Sequence, residues 1–150
     1  VGQQFKLGFK YIVFKSINMV FNEISFRVRY GETDQMGVVY YGNYAQYLEM
    51  GRVEWLRSLG ISYKNMEENG IMLPVISLQI KYLKSAVYDD LITVATFLKK
   101  MPSVKIEFDY KIYNETGEIL IEANTVLAFM DRKTKRPVKC PDYLLEKMAE

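Results

Sequence analysis

A chain of 150 residues, 49% hydrophobic and 25% charged, has the composition of one ordinary globular domain with a real core. Its net charge of +2 is too near neutral to argue for a nucleic-acid partner, and no apolar run approaches the roughly 20 residues that a bilayer span requires. A single cysteine, Cys140, closes no intrachain disulfide and points to no oxidising compartment, so a cytoplasmic location is expected; with no histidine anywhere, imidazole-based hydrolysis is excluded.

Residues 1–18 carry Lys6, Lys10 and Lys15 among aromatic and aliphatic residues, and no acid. They lack both a continuous apolar core and a small-residue cleavage site, so they do not read as a signal peptide. We expect an N-terminal extension, poorly ordered or adding an edge strand, with Met19 a plausible natural start. Residues 19–150 contain no repeat, linker or low-complexity stretch and are expected to form one domain.

Ile24, Phe26, Val28 and Tyr30 alternate with polar residues, the period-2 pattern of a half-buried strand. Residues 31–42 lack a clean period and read as a loop carrying one carboxylate, Asp34. From Asn43, a plausible N-cap, the period becomes helical: Tyr44, Tyr47, Leu48, Gly51, Trp55, Leu56 and Leu59 share a stripe, and Gly60 is a stop signal. Glycine in mid-helix costs about 1 kcal/mol against alanine, so Gly51 on the buried stripe predicts a strand lying close behind it. A short helical turn is expected at 63–69. Strands follow at 76–82, 91–98, 104–112 and 119–130, the second apolar enough to be central, and a closing amphipathic helix at 142–148. The strands are joined mostly by tight turns, which implies a largely antiparallel sheet. The expected fold class is therefore α+β, with one apolar helix wrapped by a long curved antiparallel sheet.

A helix start carries free N–H groups and a partial positive charge. A carboxylate facing one can attack a carbonyl, or direct water at it, while those N–H groups hold the carbonyl oxygen. Asp34, seven residues before Tyr41, is the candidate. The bland alternative for Asp34 is a turn aspartate bonding nearby backbone N–H groups.

The run Thr33-Asp34-Gln35-Met36-Gly37-Val38-Val39-Tyr40-Tyr41-Gly42-Asn43-Tyr44, continuing to Glu49, Arg52, Glu54 and Trp55, resembles the motif of the hotdog-fold thioesterases. The branch it resembles contains 4-hydroxybenzoyl-CoA thioesterase and the acyl-CoA thioesterases associated with the Tol–Pal system. Residues 81–91 look like that family's second recurring stretch, and the resemblance spans 24 to about 137. It implies hydrolysis of acyl-CoA thioesters to a carboxylate and coenzyme A, with Asp34 as nucleophile or general base and the Tyr41 N–H on the thioester oxygen. It further implies that Gly37, Val38, Val39, Tyr40, Gly42, Asn43 and Tyr44 form the substrate-binding segment. Tyr41 departs from the Tol–Pal-associated members, which usually have histidine there, and Ser85 stands where proline is common.

Glu49 is a reserve catalytic candidate, since some hotdog thioesterases carry their carboxylate on this helix; the alternative is a helix-face acid near a dimer seam. Lys81, Lys84, Lys99, Lys100, Arg132 and Lys133 could meet coenzyme A phosphates or stand as solvated surface charges. Glu54 and Arg57 read as a surface pair, and Cys140 as inert. No metal and no cofactor beyond the substrate's own coenzyme A is expected. The expected partners are an acyl-CoA or acyl carrier protein substrate and further copies of the chain, as a homodimer or homotetramer with the site between subunits. The other readings are an acyl carrier protein thioesterase and a non-catalytic acyl-thioester binder.

Overall fold

The computed structural model describes residues 21–149. The expectation for residues 1–18 lies outside them. In chain order the elements are β1 (Phe21–Arg27), α1 (Tyr44–Ser58), α2 (Tyr63–Glu68), β2 (Ile71–Met72), β3 (Val75–Tyr82), β4 (Leu91–Leu98), β5 (Lys105–Tyr113), β6 (Ile119–Ala128), β7 (Met130–Asp131) and α3 (Asp142–Ala149). Single 3₁₀ turns stand at Tyr30–Glu32 and Tyr41–Asn43.

The sheet is antiparallel throughout, in the order β1-β4-β5-β6-β3, so β4 is flanked on both sides as its two-faced apolar pattern predicts. Residues Ile92, Val94, Thr96 and Leu98 of β4, and Ile106, Phe108, Tyr110 and Ile112 of β5, are buried on the helix side. Against them α1 buries Tyr44, Tyr47, Leu48, Gly51, Trp55 and Leu56, the stripe read from the sequence. Trp55 meets Phe108 edge-on with ring centroids 4.8 Å apart, and burying each such side chain stabilises the fold by about 1.5–3 kcal/mol. The close approach predicted at Gly51 is present: a methyl there would stand 2.6 Å from Thr96 Oγ1 and 2.9 Å from Val94 Cγ1. Leu144 and Met148 of α3 complete the same core.

Two local expectations are corrected. The first strand ends at Arg27 rather than Tyr30, because residues 30–32 coil into a 3₁₀ turn in which Glu32 N–H reaches Arg29 O at 3.0 Å. The 119–130 run breaks after Ala128, and Met130–Asp131 turns away to pair with Ile71–Met72. A register shift at Ile112/Tyr113 lets Leu120 and Ile121 both be buried, which strict alternation forbids. The link between β3 and β4 is no tight turn. Residues 83–90 cross the end of the sheet, since β5 and β6 stand between β4 and β3 in the strand order, and this crossover is what the Asp34 loop leans on.

β3 is an edge of the sheet, and Val75, Ile76, Leu78 and Tyr82 on it are all exposed. No helix among the described residues is long and apolar enough to cross a membrane.

Candidate active site

Asp34 opens a tight loop. Its N–H donates to Val38 O at 2.9 Å, its carbonyl accepts Gly37 N–H at 2.9 Å, and its Oδ1 accepts Met36 N–H at 2.9 Å. Gly37 closes the loop at φ +80°, a left-handed conformation that glycine adopts without a Cβ clash. The flanks then pair, Thr33 with Val39, and Val38 bridges to Val87 on the crossover. Val39 N–H also reaches Ala86 O at 2.9 Å. So one carboxylate oxygen of Asp34 serves the turn, the local bond anticipated for a loop aspartate, while Oδ2 makes no hydrogen bond among the described residues. The residue is half-buried.

The chain next enters the Tyr41–Asn43 turn, which runs directly into α1. The first N–H with an acceptor inside it is that of Asn43, on Tyr40 O at 2.9 Å. The N–H groups of Tyr41 and Gly42 precede it and donate to no acceptor among the described residues, as the first turn of any helix requires. They sit at the positive end of the α1 dipole, where a developing oxyanion is stabilised.

Asn43 does not cap the helix as predicted. Its backbone is already helical (φ −69°, ψ −21°), so its side chain cannot fold back over the helix start. Instead Nδ2 donates to Glu32 O at 2.8 Å, and Tyr40 N–H reaches the same carbonyl at 2.9 Å. The Glu32 carboxylate is tied in turn to Arg29, whose N–H donates to Oε1 at 2.7 Å.

Around these groups stands an aromatic collar. Tyr40 and Tyr41 are exposed with ring centroids 4.7 Å apart, and Tyr82 lies edge-on to Tyr41 at 6.4 Å and to Tyr44 at 5.7 Å. The Tyr82 hydroxyl donates to Tyr41 O at 3.2 Å. The Tyr41 hydroxyl first, and the Asp34 charge last, hold the Tyr40 phenol above its usual pKa, so the carboxylate lies within electrostatic reach of the ring. Tyr44 and Val39 are buried in the core and support the loop from beneath. Burial chiefly, less a bond to the Ala86 backbone, raises the Tyr44 phenol.

Glu49 is exposed on α1, eight residues past Tyr41 and so roughly 12 Å further along the axis. Of the basic candidates, Lys84 pairs with Glu118 and Lys99 with Glu107 at 3.4 Å. Lys81, Lys100, Arg132 and Lys133 are exposed. Glu54 and Arg57 form the expected pair. Burial, then the Asp142 charge, pushes the Cys140 thiol up to about 12, which keeps it neutral and unreactive. An open depression of about 360 Å³ over β3 and β6, lined by Gln79, Ile80, Lys81, Glu122, Ala123 and Asn124, includes none of the Asp34 loop. Among the described residues no group of three potential ligands is placed to hold a metal.

Sequence reasoning missed Glu32, Tyr82 and the Ala86–Val87 crossover. Glu32 acts through its carbonyl, and Tyr82 is brought in by the strand order, so neither leaves a local signal.

A model of the thioesterase-like superfamily matches residues 28–148. A putative acyl-CoA thioesterase of Bacillus subtilis, YneP, is 37% identical over 112 residues, 75% of this chain and 81% of that one. A chloroplastic acyl-acyl carrier protein thioesterase of Arabidopsis thaliana, ATL3, is 32% identical over 130 residues, 86% of this chain and 68% of that one. Among solved structures, a DHNA-CoA thioesterase from Staphylococcus aureus superposes with a TM-score of 0.79 at 35% identity, covering 84% of this chain and 85% of the other.

Proposed function

The chain belongs to the thioesterase-like superfamily and has its hotdog fold, and on that premise we propose that it is an acyl-CoA thioesterase in which Asp34 and the Tyr41 N–H carry the reaction. The observation that supports the reading is a juxtaposition. A carboxylate with one uncommitted oxygen and two uncommitted N–H groups at a helix start occupy a single hydrogen-bonded loop. A thioester carbonyl is electrophilic and a thiolate leaves well, so a carboxylate of ordinary basicity suffices.

In the general-base form, Asp34 takes a proton from water as the water oxygen attacks the carbonyl carbon. The oxyanion forms on the Tyr41 N–H, then collapses and expels the coenzyme A thiolate, which takes up a proton. In the nucleophilic form Asp34 itself attacks, and water hydrolyses the resulting anhydride. Both forms yield the carboxylate and free coenzyme A, and loss of one oxyanion donor costs roughly 10²- to 10³-fold in turnover in enzymes of this kind. No cofactor beyond the substrate's own coenzyme A enters either scheme.

The test is free-thiol release from a panel of acetyl-, octanoyl- and benzoyl-CoA with wild type and Asp34→Asn. The reading expects turnover of at least one ester and a loss of about 10³-fold or more in the variant. Equal rates would move the carboxylate's role to Glu49, and binding without release would favour a non-catalytic binder. The similarity to a carrier-protein thioesterase keeps acyl carrier protein as the alternative carrier, distinguished by the same assay on acyl carrier protein esters.

We also propose a homodimer or homotetramer with the site between subunits. The exposed apolar residues of the β3 edge support it, since an open edge bearing Ile76 and Leu78 is suited to pairing with a second copy. Light scattering at micromolar concentration is expected to give twice or four times the chain mass, and a monomer refutes it.

A further inference from the structure

Asn43 makes two hydrogen bonds that meet from opposite sides of the candidate site. Its backbone N–H donates to Tyr40 O at 2.9 Å. That carbonyl belongs to the same peptide unit as the Tyr41 N–H, and a peptide unit is planar, so a bond on its oxygen fixes the direction in which its N–H points. The side chain of Asn43, through Nδ2, donates to Glu32 O at 2.8 Å. Glu32 stands two residues before Asp34 on the arm that carries the carboxylate. Both lone pairs of that carbonyl are used, because Tyr40 N–H reaches it as well at 2.9 Å. The segment between the two arms thus closes into a clasp, in which the Asn43 side chain is the side-chain tie and Tyr40 N–H the main-chain one.

We propose that Asn43 is a positioning residue, which sets the place of the Tyr41 N–H relative to the Asp34 carboxylate by tying the Tyr40–Tyr41 peptide to the Glu32 arm. It takes the place of the helix cap that the structure does not form, it is offered against the substrate contact expected of Asn43, and it rests on the proposed hydrolytic reading. The amide group is spent on a main-chain carbonyl and is half-buried there, so its influence on a substrate passes through two other groups. Alanine or aspartate at position 43 keeps the backbone N–H on Tyr40 O and loses the Nδ2 bond, leaving the Glu32 carbonyl to Tyr40 N–H alone. Aspartate is the sharpest case, since it keeps the size of asparagine and loses the donor.

The experiment compares Asn43→Ala and Asn43→Asp with wild type and Asp34→Asn, using whichever of acetyl-, octanoyl- or benzoyl-CoA wild type hydrolyses. Misplacement of a catalytic group by about 1 Å costs on the order of 10²-fold. Both Asn43 variants are therefore expected to lose 10- to 100-fold in kcat by that estimate, with KM within about threefold of wild type because ground-state binding is untouched. In parallel, amide hydrogen exchange followed by NMR is expected to speed up at Tyr40 N–H in both variants, with the core amides of α1 unchanged. A raised KM at constant kcat makes Asn43 a substrate contact and overturns the proposal, as does wild-type kcat. If one variant fails to fold, the other decides. If Asp34→Asn keeps full activity, or no ester is cleaved at all, the hydrolytic reading fails by itself. Unchanged exchange at Tyr40 then overturns the clasp independently.

Discussion

The helix α1 and the turn that leads into it form two halves held by different physics. The middle of α1 lies so close to β4 that Gly51 has no room for a methyl, and everything facing the sheet there is buried. The turn before it, from Tyr40 to Asn43, is largely exposed and is held by hydrogen bonds to the Glu32 carbonyl and the Tyr40 carbonyl. Close packing is non-directional and strong in total, whereas each hydrogen bond adds only about 1 kcal/mol net but fixes an orientation. The packed half therefore supplies stability, and the bonded half fixes the orientation of its peptide groups. The turn runs directly into α1, so that orientation is referred to the core.

The largest effect that separates the halves is expected from Gly51→Ala. Alanine gains about 1 kcal/mol of helix propensity over glycine, but overpacking against Thr96 and Val94 costs about 1–3 kcal/mol. Contact at 2.6 and 2.9 Å places the cost near the upper end, so a net loss of about 1–2 kcal/mol is expected. Denaturant unfolding should show it while kcat on the best ester holds at the wild-type value. A fall in kcat without a loss of stability would mean that the two halves are not separable.

A smaller effect sharpens the boundary. The Tyr47 hydroxyl is fully buried with no partner in hydrogen-bonding geometry, although the Glu32 carboxylate acts on it electrostatically. Burial first, and that charge second, raise its pKa well above the ordinary phenol range. An unsatisfied buried hydroxyl costs about 1–3 kcal/mol, so Tyr47→Phe is expected to be neutral or to gain about 1 kcal/mol in the same unfolding measurement. A loss of stability accompanied by a drop in kcat would assign the hydroxyl to the bonded half, through Glu32.

Period and punctuation made most of the fold legible. The stripe of α1, the exact span of Leu91–Leu98 and the glycine against a strand each follow from local spacing. What escaped is non-local or depends on the main chain. Nothing near Ala128 announces that Met130 and Asp131 leave the sheet for Ile71 and Met72. No periodicity tells that residues 83–90 cross the end of the sheet to meet Val38 and Val39. At the site, Asp34 and Tyr41 stand out by spacing and resemblance. The cap expected at Asn43 does not form, because an asparagine before a helix ordinarily caps it but here the 3₁₀ turn has already begun.

The edge at β3 has a consequence beyond catalysis. Val75 to Tyr82 reads Val-Ile-Ser-Leu-Gln-Ile-Lys-Tyr, rich in β-formers with no proline, glycine or acid and a single charge at Lys81. Such a segment is a template for cross-β stacking whenever its free N–H and C=O groups go unpaired. A second copy paired on that edge, as proposed, would also guard it against fibrils, and a destabilising change that exposes β3 would leave Lys81 within the strand and Pro74 before it as its gatekeepers.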